Sequence, residues 1–277
     1  MTTLPFSQIN VFSSDPLGGN PVAVVHSADN LTDEKMAALA RWTNLSETTF
    51  LLQPDHAAAD YKLRIFTPSG ELPFAGHPTL GSCFAWLNSG GIPKNQNFVI
   101  QQCEAGLIRI KKNNSILEFA APPLIRTGAL DDFTLEKIIN GLSLTPADIL
   151  HHQWVDNGPG WCAVVLKSAA HVLSLKANWS QLSPLNLGVV ARHDEGHESQ
   201  IEVRAFVGRD GFEDPVTGSL NASVAQLLVK SGFISTPYVS SQGAVLQRCG
   251  RVKVNQSEDK IWIGGETIEV IKGEISV

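Results

Sequence analysis

The feature of this sequence that most constrains its fold is an internal repeat. Three pairs of matching segments recur at nearly the same separation along the chain: Phe66 with Phe206, Gly76 with Gly218, and GGNPVAVV at 18–25 with GPGWCAVV at 158–165. In both halves, a strand-like run is followed by a turn of glycine and polar residues and then by a helix. Agreement of three matches in register predicts the duplication of a β-rich unit that contains one helix.

The helix of each repeat, predicted over 79–87 and 219–229, is rich in small residues and nearly uncharged. Helices of this composition are buried on all sides rather than amphipathic. The 277 residues allow two domains, and the proline-rich break lies at 120–123. We therefore expect domains over 1–121 and 122–277, with the option that the last strands return to the first domain.

Charge and composition exclude several function classes. The chain has 21 basic and 27 acidic residues, a net charge of −6 and no block of Lys or Arg, which disfavours nucleic acid and anionic membranes as partners. No apolar run approaches the roughly 18 residues that a membrane-spanning helix needs. The four cysteines are widely spaced and form no CxxC pair. We expect a cytoplasmic protein with reduced cysteines and without a signal peptide.

A first candidate site residue is Glu47. A predicted helix ends near Asn44 and a strand begins near Thr49, so Glu47 lies at their junction, beside the apolar residues Leu45 and Phe50. An apolar environment raises the pKa of a carboxyl group, which suits a general acid or base. From the residues alone, a solvent-exposed loop glutamate is the simpler interpretation.

Two further candidates lie where the repeated helices begin. His77 follows Gly76 at the first helix, and Asp214 precedes the Thr217-Gly218-Ser219 turn at the second. Helix N-termini present free N–H groups to an anion, whereas polar residues there also serve as ordinary caps. Recurrence favours function, because two equivalent N-termini that face each other would together bind a carboxylate.

The segment 193–198, HDEGHE, is superficially similar to a metal site because two histidines are separated by four positions. Gly196 interrupts the segment, and strong strands flank it, so a polar hairpin loop is the favoured interpretation. No phosphate-binding loop, GxGxxG, GxSxG or HExxH motif occurs.

Several motifs together resemble the PhzF family of phenazine-biosynthesis-like isomerases, which have the diaminopimelate epimerase fold. The matching segments are QINVF (8–12), GGNP (18–21), NLSET (44–48), FTP (66–68), AGHPT (75–79), EDPVTGS (213–219), Gln242-Gly243 and Gly250-Arg251. The resemblance implies an α+β fold of two similar β-barrel-like domains, each wrapped around one central helix. It also implies an active site in the cleft between the domains, and a homodimer.

For function, the resemblance implies an isomerase that moves a proton between carbons of a small carboxylate without a cofactor or a metal. Glu47 would be the general acid/base, and His77 and Asp214 would assist it. The substrate-binding set would be Gly76, Thr217, Gly218 and Ser219, whose backbone N–H and hydroxyl groups would hold the carboxylate.

The sequence departs from the epimerases and racemases of this fold at two positions. These enzymes use a cysteine before the glycine of each repeat, whereas this chain has Ala75 and Thr217 there. Neither residue supplies a thiolate, so a two-cysteine mechanism is disfavoured. A binding protein of the same fold without turnover and a cysteine-independent epimerase remain alternatives.

Overall fold

The computed structural model of the protein describes residues 2–113 and 116–277. These residues form two compact units. Unit 1 comprises the described residues of Met1–Ala120 together with Gly264–Val277, and unit 2 comprises Ala121–Ile263. Within the described ranges, none of the helices combines the length and the apolar character that crossing a membrane requires.

Both units are rich in strands. In chain order the strands are β1 (Thr3–Val11), β2 (Asn20–Val25), β3 (Thr48–Leu52), β4 (Tyr61–Thr67), β5 (Gly70–Leu72), β6 (Phe98–Cys103), β7 (Gly106–Asn113), β8 (Ile116–Ala120), β9 (Ile149–Trp154), β10 (Trp161–Leu166), β11 (Asn186–Arg192), β12 (Ile201–Val207), β13 (Phe212–Asp214), β14 (Tyr238–Gln242), β15 (Gly250–Ser257), β16 (Lys260–Gly265) and β17 (Thr267–Ser276). The α-helices are α1 (Asp33–Thr43), α2 (Gly76–Asn88), α3 (Asp132–Leu142), α4 (Ala169–Ser174), α5 (Trp179–Leu182) and α6 (Gly218–Lys230), and short 3-10 turns cover 28–30, 146–148 and 244–246.

In unit 1, the strands pair in the order β17–β1–β2–β3–β4–β6–β7–β8, and β5 forms a short hairpin with β4. The pairs β2–β3 and β4–β6 are parallel and the others are antiparallel. A parallel pair requires a crossover connection, and α2 supplies the one between β4 and β6. It contacts β1, β2, β3, β4, β6, β8 and β17, so it is the central helix of this unit.

In unit 2, the order is β9–β10–β11–β12–β14–β15, with β13 paired to β12. The parallel pairs are β10–β11 and β12–β14, and α6 crosses over between the latter two strands. Helix α6 packs against β10 and β15. It also lies close to β11, because a Cβ atom on Gly188 would lie 2.5 Å from Leu220 Cδ1.

The predicted duplication is confirmed. The pairing pattern of β1–β7 recurs strand for strand in β9–β15, and α2 and α6 are both 13 residues long. Most residues of both helices are buried, as their small and uncharged side chains predict. Helix α2 begins at Gly76, earlier than predicted, because Pro78 falls within the first turn, where proline leaves no hydrogen bond unmade.

One detail of the predicted fold needs correction. The α+β class is confirmed, but among the described residues the strands close no barrel, so a mixed sheet surrounds each central helix. The predicted division at 121/122 allowed the last strands to return to the first domain. In the structure β17 pairs with β1 from Thr3↔Ser276 to Val11↔Thr267, which makes Gly264–Val277 part of unit 1.

Candidate functional site

Glu47 lies between α1 and β3, as the sequence predicts. Asn44 ends α1 in the left-handed conformation (φ 54°), which turns the chain sharply towards the sheet. The backbone carbonyl of Glu47 accepts a hydrogen bond from Ala23 N–H on β2 (3.4 Å). The Glu47 side chain is only 14% exposed, so it is not a solvent-exposed loop glutamate.

His77 occupies the second position of α2, and its Nε2 lies 3.2 Å from Oε2 of Glu47. Its side chain is 5% exposed, and burial lowers the pKa of the imidazole to about 3. A hydrogen bond from the ring to the backbone of Pro21 opposes this shift. The ring is therefore neutral at neutral pH, and its contact with Glu47 is not an ion pair.

His77 has two further contacts. Its ring donates to the carbonyl of Pro21, because proline has no N–H. Its Nδ1 lies 3.5 Å from the amide nitrogen of Asn20 on β2. These contacts fix the position of the ring beside Glu47.

In unit 2, Asp214 ends β13 and is buried. Thr217 is the N-cap residue of α6, but its hydroxyl donates to Asp214 Oδ2 (2.5 Å) instead of capping the helix. In unit 1 the N-cap residue is Ala75, which has no side-chain group that could cap α2. Within the described residues, neither central helix thus has a side-chain cap, and the first-turn N–H groups at Gly76, Gly218 and Ser219 lack an intrahelical partner.

Ser219 is held from both sides. Its hydroxyl accepts from Trp161 Nε1–H (3.0 Å), and its backbone carbonyl accepts from Asn157 Nδ2–H (3.0 Å). Gly218 is buried in the first turn. A fixed turn with free N–H groups and a helix dipole behind it is suited to binding an anion such as a carboxylate.

The structure groups the predicted site residues by unit. Glu47, His77 and Gly76 belong to unit 1, where the first two are in contact, and Asp214, Thr217, Gly218 and Ser219 belong to unit 2, where the first two are hydrogen-bonded. Gln242 and Asn221, which bind Thr217, had no predicted role. The available signal for Asn221 was an amide side chain near the start of a buried helix.

Three of the four cysteines are buried and are poorly suited to covalent or proton-transfer chemistry. Burial raises the pKa of the Cys83 and Cys162 thiols to about 12, and it also raises the pKa of Cys103. A thiol is a nucleophile or base only as its thiolate. Positions 75 and 217, where a cysteine mechanism would need one, lie at the two N-caps and hold Ala and Thr.

The segment 193–198 connects β11 and β12, as the loop interpretation predicts. The His193 and His197 rings are stacked (centroids 3.7 Å apart), and His193 Nε2 lies 3.1 Å from Glu202 Oε2. Burial raises the pKa of Glu202 to about 7. In 2–113 and 116–277, no three His, Cys, Asp or Glu side chains are grouped to hold a metal.

Comparison with known proteins gives the family. Residues 9–273 match the family model described as phenazine biosynthesis-like protein, PhzC-PhzF. The Antisense-enhancing sequence 1 protein of Schizosaccharomyces pombe is 35% identical over 99% of this chain and 99% of its own. A trans-2,3-dihydro-3-hydroxyanthranilate isomerase of Pseudomonas chlororaphis is 34% identical over 82% of this chain and 80% of its own.

A solved structure agrees with this assignment. The PhzF-family phenazine biosynthesis protein of Enterococcus faecalis superposes with a TM-score of 0.82, at 24% identity over 100% of both chains. That likeness establishes the fold, and the family model covers nearly the whole chain. The chain therefore belongs to the PhzF family of phenazine biosynthesis-like proteins.

Proposed function

We propose that this protein is a cofactor-independent isomerase that moves a proton between carbons of a small carboxylate-bearing substrate. The observation that carries the proposal is the contact between Glu47 and His77: a largely buried carboxyl group within 3.2 Å of a neutral imidazole nitrogen. The name of the Pseudomonas chlororaphis relative supports an isomerisation.

In the proposed mechanism, Glu47 takes a proton from one carbon of the substrate and returns it to another. The Glu47 side chain is only 14% exposed, so little water competes with the substrate at the carboxyl group. His77 assists because its neutral ring lies 3.2 Å from the carboxyl group and can form a hydrogen bond with it. Since burial lowers the pKa of the ring to about 3, the ring stays uncharged while Glu47 gains and loses its proton.

In unit 2, we propose that the first turn of α6 binds the carboxylate of the substrate. The N–H groups of Gly218 and Ser219 are suited to this role, and Asn157 and Trp161 fix the position of Ser219. Asp214 assists by exchanging a proton with a polar group of the substrate. The corresponding turn of α2, beginning at Gly76, would contribute in the same way.

Racemisation by paired thiols is not part of the proposal, because Ala75 and Thr217 occupy the two positions concerned and the buried thiols stay protonated. An epimerase that used Glu47 instead would return a proton to the same carbon, on the face opposite to the one from which it was removed. Product analysis distinguishes these outcomes.

The test is proton exchange in heavy water. Purified wild-type protein and Glu47→Gln are incubated with a panel of small cyclic and acyclic amino and hydroxy acids. The panel includes trans-2,3-dihydro-3-hydroxyanthranilate, the compound named for the relative. Proton NMR follows deuterium uptake and migration of the double bond. We expect exchange by the wild type and a loss of roughly 10²–10⁴-fold in Glu47→Gln, the range typical of a missing acid/base.

The matched control is Glu118→Gln, because Glu118 is another buried glutamate of unit 1 and lies on β8. It should keep the wild-type rate. An unchanged rate in Glu47→Gln would reject Glu47 as the acid/base. Tight binding of one compound without any exchange would instead establish a binding protein, and deuterium uptake without migration of the double bond would establish an epimerase.

A further inference from the structure

The buried amide of Gln242 uses all of its hydrogen-bonding capacity at the start of α6. Its Oε1 accepts from the Thr217 backbone N–H (3.0 Å) and from Asn221 Nδ2 (2.9 Å). Its Nε2 donates to the Asp214 carbonyl (3.0 Å) and to the Thr217 hydroxyl oxygen (2.9 Å). The orientation of this amide is unambiguous, because a backbone N–H only donates and a carbonyl only accepts.

This orientation determines the direction of the next hydrogen bond. Since Gln242 Nε2 donates to Thr217 Oγ1, the hydroxyl proton of Thr217 is left to donate, and its partner is Asp214 Oδ2 at 2.5 Å. Oδ2 must then accept. A hydrogen bond donated to a carboxylate oxygen stabilises the charged form of the group, so the Thr217 hydroxyl favours ionised Asp214.

We infer that Gln242 is a positioning residue, which acts through the Thr217 hydroxyl to hold Asp214 Oδ2 as a hydrogen-bond acceptor and so to stabilise the charged form of Asp214. The same amide occupies the Thr217 N–H and so leaves the N–H groups of Gly218 and Ser219 as the anion-binding part of the turn. The inference deepens the proposed function and rests on it for its role in catalysis.

The first repeat provides a matched comparison. Gln101 lies on β6, the strand of unit 1 that corresponds to β14, and it is also buried. Its Nε2 donates to Thr79 Oγ1 (3.0 Å), and its Oε1 accepts from the Tyr61 hydroxyl (3.0 Å). Thr79 lies beyond the N-cap of α2, and within residues 2–113 and 116–277 Gln101 has no comparable chain of hydrogen bonds to an acidic side chain.

Charged side chains also lie on the elements packed around Asp214. They are Glu202 and Arg204 on β12, Glu213 on β13, Lys230 on α6, Arg248 after β14, and Arg251 and Lys253 on β15. Arg204 pairs with Glu213, Arg251 pairs with Glu198, and Glu202 bonds to Ser241. The variants below leave all of them in place.

The test is a titration of Asp214 in the full chain. The protein is labelled with ¹³C-aspartate, and the Asp214 carboxyl signal is identified by its loss in Asp214→Asn. In Gln242→Met, the Thr217 hydroxyl is no longer held towards Oδ2. A hydrogen bond to the carboxylate favours the charged form, so we expect Asp214 to bind protons about tenfold more tightly in this variant. Gln101→Met should leave the Asp214 titration unchanged.

Thr217 variants keep the inference testable if Gln242→Met does not fold. Thr217→Val should reproduce the shift, Thr217→Ser should restore the wild-type titration, and adding Gln242→Met to Thr217→Val should produce no further shift. A wild-type titration in both Gln242→Met and Thr217→Val would overturn the inference. So would an equal shift in Gln101→Met, because this would show a general effect of losing a buried amide.

The titration also separates the inference from the proposed function, because it needs no substrate. If the protein turns over a member of the panel, the acidic limb of its pH profile should shift in Gln242→Met in the same direction as the titration. If no member of the panel reacts, the proposed function fails, while the role of Gln242 at Asp214 is still decided by NMR.

Discussion

The two units share one strand order and one central helix, yet they place the same ion pair in different surroundings. In unit 1, Arg64 forms a two-pronged pair with Glu71 (2.7 and 2.6 Å), and in unit 2, Arg204 forms the same pair with Glu213 (2.9 and 2.7 Å). The guanidinium groups lie over Phe66 and Phe206, at 5.1 and 4.8 Å from the ring centroids.

The difference is burial. The Arg64 and Glu71 side chains are 22% and 29% exposed, whereas those of Arg204 and Glu213 are 4% and 7% exposed. The remaining nitrogen of Arg64 binds the exposed Asp33, whereas that of Arg204 binds the backbone carbonyls of α4 and its C-cap. The two repeats thus share the geometry of the Arg–Glu pair. The burial of the pair determines how much it contributes to the stability of each unit.

The largest effect should come from breaking the buried pair. Arg204→Met leaves Glu213 charged and without its partner, and it also removes the donor to the carbonyls of Val172 and Leu175. We therefore expect a loss of about 3–5 kcal/mol in the free energy of unfolding. Arg64→Met should cost about 1 kcal/mol or less, because water replaces the lost contacts. Urea denaturation measures both values.

The control is the double variant Arg204→Met/Glu213→Leu, which removes both charges and should recover most of the lost stability. Equal losses for Arg64→Met and Arg204→Met would show that burial does not distinguish the two pairs.

Acidification should weaken unit 1 through His77. Burial lowers the pKa of this ring to about 3. Between pH 6.5 and pH 3, His77 is therefore protonated in the unfolded chain but neutral in the folded unit. Stability is therefore complete above about pH 6.5 and falls towards pH 3, by about 4 kcal/mol at the lower end. His77→Gln should remove this dependence, as hydrogen exchange of the unit 1 amides against pH would show.

Unit 2 should respond in the opposite direction through Glu202. Burial raises the pKa of this carboxyl group to about 7, so the folded unit keeps a proton that the unfolded chain loses above pH 4.5. Stability is complete below that pH and decreases as the pH rises towards 7, by up to about 3 kcal/mol. Glu202→Gln should abolish the decrease in the exchange of unit 2 amides, and an unchanged slope would contradict the assignment.

The smallest effects concern the contact between helix and strand. In each unit, a glycine allows the central helix to approach a strand closely. In unit 1 this is Gly81 on α2, where an added Cβ would lie 2.4 Å from Val22 Cγ1. In unit 2 it is Gly188 on β11, where an added Cβ would lie 2.5 Å from Leu220 Cδ1. We expect Gly81→Ala and Gly188→Ala each to cost about 1–2 kcal/mol. Thermal unfolding of the double variants with Val22→Ala and Leu220→Ala should show partial rescue, and purely additive losses would exclude these contacts as the cause.

Much of the fold could be predicted from the sequence, because the repeat is recognisable in short segments of neighbouring residues. The glycine turns before α2 and α6 and the uncharged composition of both helices predicted buried helices, and α2 and α6 are buried. The position of β17 could not be predicted in the same way. Its pairing with β1 joins the two ends of the chain, and no local pattern encodes the partner of an edge strand.

The candidate site, like the fold, has features that the sequence predicts and features that it does not. Sequence position and residue type singled out Glu47, His77 and Asp214, and the presence of Ala75 and Thr217 excluded a pair of catalytic cysteines. Only the tertiary structure decided that Glu47 is largely buried against a neutral His77, and that Gln242 orients the Thr217 hydroxyl. The physical reason is that burial and hydrogen-bond direction depend on groups that are distant in the chain. Glu47 and His77 lie on opposite sides of strands β3 and β4 in sequence, and the whole of α6 separates Thr217 from Gln242.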